Sequence, residues 1–111
     1  MKKSMGLFAS AFLISLSSQA FAADELKIGK KIYDRAFGRG CGSCHDISSN
    51  PQLKVLIANG DLDRKTFGDV IKNGRNGMPK AIAAIMAVGP VKKAEYTEDQ
   101  AIDAVYKYLS K

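Results

Sequence analysis

The chain has 111 residues, 46% hydrophobic and 25% charged, a size and mixture that fit one small globular domain and exclude a disordered, charge-dominated segment or a second domain. Seventeen Lys and Arg against eleven Asp and Glu leave a formal net charge of +6. The bases are scattered, with no arginine-rich run and no aromatic stacking platform, so the excess suits steering toward an acidic surface and argues against nucleic acid as a partner.

Residues 1–22 read as a cleaved secretory signal. Lys2 and Lys3 precede an apolar run from Met5 to Leu16, and Ala20-Phe21-Ala22 offers small residues at the spacing a signal peptidase reads, with the cut after Ala22 or Ala23. The apolar run is shorter than the ~20 residues of a spanning helix. Ser15, Ser17, Ser18 and Gln19 dilute its end, which argues against a stable membrane anchor. Residues 23–111 are then an exported, periplasmic domain, and there thiols normally end as disulfides or in some other bond.

The first helix is expected over Asp24–Phe37, where Ile28, Ile32, Tyr33 and Phe37 follow a helical repeat. Gly29 in its interior costs about 1 kcal/mol against alanine, which implies a close contact with another backbone. Gly38, Gly40 and Gly42 then loosen the chain. Asn50-Pro51 reads as a cap and first helical position for a short helix carrying Leu53, Leu56 and Ile57. Thr66 reads as the cap of a helix with Phe67, Val70 and Ile71 on its apolar face, closing at Asn73-Gly74. The turn-rich stretch 73–79 delivers Met78, and Ala81–Val88 reads as a buried short helix broken by Gly89-Pro90. Thr97 and Gln100 form a capping box for a last helix whose apolar face holds Ile102, Val105, Tyr106 and Leu109. With no strand-like alternation anywhere, the fold class is all-α.

Both cysteines and the only histidine of the chain fall within five residues, Cys41-Gly42-Ser43-Cys44-His45. A structural zinc site needs four ligands and finds three nitrogen or sulfur donors here. A thioredoxin-like pair needs a strand before it, and a Cys41–Cys44 disulfide closes too small a loop to restrict the unfolded chain while leaving His45 unexplained. Covalent haem attachment accounts for all three residues: each thiol adds to a vinyl group and the adjacent imidazole turns onto the iron. For the second axial position Met1 and Met5 leave with the signal, so the choice lies between Met78 and Met86. Met78 follows a turn and precedes Pro79, which holds the local backbone extended, whereas Met86 sits inside an apolar run as a core filler would.

These residues resemble the small soluble class I cytochromes c, through Gly29 and Tyr33 on the first helix, the Cys41–His45 site, Met78-Pro79, and Val105, Tyr108 and Leu109 on the last helix. The resemblance covers nearly all of residues 23–111. It implies four to five short helices around one haem c, with the first and last helices crossing at Gly29. It further implies Cys41 and Cys44 as attachment points, His45 and Met78 as iron ligands, and a downstream proline carbonyl, Pro51 being the nearest, accepting the other imidazole N–H. Arg35–Gly40 is longer than the matching stretch in many relatives.

The function so implied is a one-electron carrier in a periplasmic electron-transfer chain, a non-enzyme, monomeric or in transient complexes with acidic redox partners. Lys27, Lys30, Lys72, Arg75 and Lys80 neighbour the haem-facing elements and could ring a docking surface. Two other readings remain open. One is an electron-transfer subunit of a periplasmic oxidoreductase, with Ala81–Val88 as its contact. The other is a ligand-binding or sensory haem protein in which Met78 does not hold the iron.

Overall fold

A computed structural model describes residues 23–111; the expected signal segment lies outside the described residues. Among those residues the chain is mostly helical, with no strand and one isolated antiparallel bridge between Arg75 and Met78. Helix α1 occupies residues 23–35 and passes into a 3-10 turn at Ala36–Gly38. There follow α2 (Gly42–His45), α3 (Leu53–Ala58), α4 (Arg64–Asn73), α5 (Ile82–Met86), α6 (Gly89–Lys93) and α7 (Glu98–Leu109).

Helix α7 is the element on which the others converge: α3, α4 and α5 all pack against it. The reason is its sequence, which places Ala101, Ile102, Ala104, Val105 and Leu109 on one buried face. Its start is fixed by the expected capping box, in which Thr97 Oγ1 accepts from Gln100 N (3.2 Å) and Gln100 Oε1 accepts from Thr97 N (2.8 Å).

Gly29 answers the expectation of a close backbone contact. A Cβ on it would collide with the Ala104 carbonyl and stand 3.0 Å from Tyr108 Cβ, so α1 and α7 touch backbone to backbone at this point. Tyr33 continues the contact, its ring 5.9 Å from that of Tyr108. Around the crossing, Ile32 of α1 and Ala36 of the 3-10 turn join Ile85, Val88, Val91 and the α7 face in one buried cluster.

Four local expectations are corrected. Phe37 does not extend the apolar face of α1: the helix ends at residue 35, and Phe37 takes a left-handed φ of 63° with its side chain 48% exposed. Pro51 is not the first position of α3, which is capped at Gln52. Helix α4 starts before Thr66, because the Asp63 carboxylate accepts from Thr66 N at 2.8 Å and takes the capping role. Gly89-Pro90 does end α5, but it also opens α6, with proline in the first turn where its missing N–H has no partner to lose.

The α4–α7 contact carries polar cross-links at its edge. Arg64 pairs with Asp103, Lys72 Nζ lies 3.2 Å from Asp99, and the Tyr106 hydroxyl donates to the Leu62 carbonyl at 3.2 Å. These partly exposed pairs fix register more than they add stability. No helix among the described residues is long and apolar enough to cross a membrane.

Replacing Gly29 with alanine forces α1 off α7. The expected loss is roughly 2 kcal/mol of unfolding free energy, measured by urea titration, and an unchanged midpoint would mean the two helices do not meet there.

Candidate functional site

The cysteine turn hangs from the end of α1 by backbone bonds. Gly40 N donates to Ala36 O at 2.8 Å and Cys41 N to Tyr33 O at 2.7 Å, closing residues 36–40 into a tight excursion. Gly40 makes this possible: it has φ +87°, and a Cβ there would lie 2.6 Å from the Tyr33 and Asp34 carbonyls. The next residues wind into the single turn α2, with His45 N donating to Cys41 O at 3.0 Å. Ser43 Oγ donates back to Gly40 O (2.8 Å), and Asn50 Nδ2 donates to Cys44 O (2.8 Å), satisfying a carbonyl that so short a helix leaves open. Cys41 and Cys44 are both free thiols, Cys44 exposed and Cys41 half-buried, with burial pushing the Cys41 thiol up to about 11.

His45 is oriented by its own downstream chain. Its Nδ1 lies 2.9 Å from the Pro51 carbonyl, which can only accept, so the proton sits on Nδ1 and the lone pair on Nε2. The loop between them is itself pinned, by Gln52 Nε2 donating to Ile47 O at 2.6 Å. An imidazole held this way has its ring plane and tautomer set for binding a metal through Nε2.

Met78 comes from the other side of the sequence. Asn76 (φ 48°) and Gly77 (φ 90°) form a two-residue turn of the kind that Asn-Gly favours, closed by Arg75 N to Met78 O (3.0 Å) and Met78 N to Arg75 O (2.8 Å). Gly74, at φ 78°, lets the chain leave α4, and Ala81 N returns to Ile71 O at 2.8 Å. The turn is thus anchored at both ends before Pro79.

The two cysteines, His45 and Met78 all border one cleft of about 340 Å³, walled by Phe67, Ile71, Ala81, Ile85 and Val105. A second lobe of about 660 Å³ shares His45, Cys44 and Met78 and extends under Leu56, Leu62 and Val70. The walls are overwhelmingly apolar, as in sites built for a large hydrophobic ligand with a few convergent polar groups. Met86 borders neither lobe. No group of three or more His, Cys, Asp or Glu among the described residues could hold a metal ion on its own.

Of the five cations singled out from the sequence, Lys30 pairs with Asp34 (2.7 Å) and Lys72 with Asp99, Arg75 borders the second lobe, and Lys27 and Lys80 border neither lobe. Three groups were not anticipated. Tyr33 donates its hydroxyl to Asp46 Oδ1 at 2.7 Å, tying α1 to the residue after His45. Asn50 holds the end of α2, and Phe37 and Arg39 stand at the cleft's lip. An aspartate directly after the imidazole was the available signal for the first, but its partner is thirteen residues upstream and only the fold brings them together.

The chain matches no protein-family model, no curated protein and no solved structure.

Burial, and then the bond to Asp46, hold the Tyr33 phenol above its ordinary value near 10. The folded chain therefore keeps a proton that the unfolded chain releases, and this contribution is complete below pH 10 and lost as pH rises beyond it. Urea midpoints of the parent are expected to fall more steeply above pH 10 than those of Tyr33→Phe, which should itself be less stable at neutral pH by about 1 to 2 kcal/mol. Parallel pH profiles would show that the phenol is not perturbed.

Proposed function

We propose that this chain is a monohaem c-type cytochrome, a one-electron carrier of a periplasmic chain, with haem c attached through Cys41 and Cys44 and its iron held by His45 and Met78. One observation carries the reading. Two thiols, a thioether and an imidazole with its Nε2 lone pair available border a single apolar cleft, and the imidazole is oriented by a proline carbonyl.

The donor set fits that group. Cys41 and Cys44 sit one turn apart with His45 next in sequence, so the residues that would tether the macrocycle also dictate where the imidazole points. The haem would supply an iron centre that exchanges one electron, at a potential raised by thioether ligation. The protein's part is positioning and exclusion. The Pro51 carbonyl fixes the His45 tautomer, and the Asn76-Gly77 turn presents Met78. Phe67, Ile71, Ile85 and Val105 line the cleft with apolar surface, which would limit the solvation of a charge placed there. The crossing of α1 and α7 at Gly29 and the all-helical architecture support the same class I cytochrome c reading.

An electron-transfer subunit of a larger oxidoreductase would have to make its contact at Ala81–Val88 through Ala83 and Ala87, which are exposed, since Ala81, Ile85 and Val88 are buried. A ligand-binding haem protein requires Met78 off the iron, although Met78 borders the cleft.

The test is the absorption spectrum and intact mass of the chain secreted from a host with cytochrome maturation. Expected are the added mass of one haem, a low-spin spectrum, a weak red band of sulfur ligation that Met78→Ala abolishes, and no carbon monoxide binding by the reduced parent. A mass without haem refutes the proposal. Retention of the band in Met78→Ala would transfer the ligand role to Met86.

A second expectation concerns stability. The haem would supply much of the apolar centre of so short a chain, so Cys41→Ala/Cys44→Ala should be largely unfolded by circular dichroism. A helical, cooperatively melting double variant would show that the cofactor is not part of the core.

A further inference from the structure

Gly42 has no explanation in its own backbone. It lies inside the single turn α2, in helical conformation, without the positive φ of Gly38, Gly40, Gly74 or Gly77. Any residue adopts that conformation, and glycine weakens a helix relative to alanine. The reason lies four residues on: a Cβ at position 42 would collide with Asp46 Oδ2 and stand 3.2 Å from Tyr33 Cε1. Glycine here is clearance for a carboxylate folded back across the turn.

That carboxylate has one partner. Asp46 makes no ion pair among the described residues, and its side chain accepts a single hydrogen bond there, from the Tyr33 hydroxyl at 2.7 Å. Tyr33 therefore holds α2 at both ends. Its carbonyl accepts from the N–H of Cys41, the residue before the turn, at 2.7 Å, and its hydroxyl donates to Asp46, the residue after it. Tyr33 is itself buried and set against Tyr108 of α7, ring centroid to ring centroid at 5.9 Å. The bracket around the cysteine turn is thus fixed to the crossing of α1 and α7.

We infer that Tyr33 and Asp46, with Gly42 as their clearance, are positioning residues for His45, holding the end of the cysteine turn so that the imidazole meets the cofactor's iron in one orientation. The inference rests on the haem reading above. A turn of four residues makes too few bonds of its own to keep its shape, and the main-chain bonds of Gly40 and Cys41 fix only its start. The Pro51 carbonyl sets the tautomer of His45, and Asn50 and Gln52 stiffen the loop, but all these bonds join residues 44–52 to one another. None of them reaches α1. The Tyr33–Asp46 bond does, and its charged acceptor stands directly after the ligand in sequence.

The test is electron paramagnetic resonance of the oxidised, haem-loaded chain, which reads the orientation and field of the axial imidazole and not the stability of the fold. Tyr33→Phe keeps the ring against Tyr108 and removes the bond, whereas Gly42→Ala keeps both partners and removes their clearance. Each is expected to split the parent's single low-spin signal into two, the second form populated about tenfold above its level in the parent, as loss of one hydrogen bond to a charged group implies. Asp46→Ala should give the same split signal, and Asp46→Asn, whose carboxamide oxygen still accepts from the phenol, should keep the single one. Tyr106→Phe is the control: it loses a hydroxyl bond to Leu62 O (3.2 Å) away from the turn, and should melt lower with its signal unchanged. A single parental signal in Tyr33→Phe or in Gly42→Ala, or a split signal in Tyr106→Phe, overturns the inference and leaves the haem assignment intact. If Tyr33→Phe does not load haem, Gly42→Ala and the two Asp46 variants decide by the same criterion. A parent chain without covalent haem overturns both readings, and intact mass separates that case before any spectrum is recorded.

Discussion

The backbone contact between Gly29 and Ala104 is the constraint on which the remainder of the molecule rests. It brings α1 and α7 closer than any side chain at position 29 would permit, and through Tyr33 and Tyr108 it sets how α1 lies on α7. From that relation the rest follows. Helix α1 ends where the cysteine turn must begin, and α7 offers Val105 as a wall of the cleft and Ile102 as a floor for the core. Helices α4 and α5, packed on α7, then carry Met78 between them.

The site is assembled from two segments that are each rigid for local reasons and meet only through that frame. The first is the stretch from Tyr33 to Gln52, in which main-chain bonds, Ser43, Asn50 and the Pro51 carbonyl leave the thiols and imidazole little freedom. The second is the Arg75–Met78 turn, closed on itself and bonded back to α4 through Ala81. On the proposed haem reading, preorganisation of this kind would matter for electron exchange, because the groups around a redox centre need to move little when its charge changes.

Much of this was legible in the residues. The capping box at Thr97, the buried face of α7, the close approach at Gly29 and the grouping of Cys41, Cys44 and His45 each depend on neighbours a turn or so away, or on a residue type with one physical use. Pro51 was legible as a hydrogen-bond acceptor only through resemblance, while its local reading as a helix start failed because Gln52 caps α3. Thr66 failed in the same way: Asp63, three residues earlier, takes the cap and accepts from Thr66 N, which makes Thr66 the third residue of the helix. Phe37 was misplaced because periodicity cannot register that α1 stops short, a stop imposed by the glycines beyond it and by the return of the chain over Tyr33. The Tyr33–Asp46 bond and the position of Arg39 on the cleft are products of tertiary structure and left no pattern to read.

The contrast between the two kinds of contact bears on the order of assembly. Every bond that shapes the thiol-bearing turn joins residues between Tyr33 and Gln52, so the loops to be closed are short and their entropic cost is small. The Gly29–Ala104 contact joins opposite ends of the described chain, and its closure is among the most expensive steps. Of the described helices, α7 comes last in chain order. The cysteine turn can therefore take its shape while the cleft still lacks one wall, and the interval before α7 docks is when a bulky group could enter without unfolding anything already made.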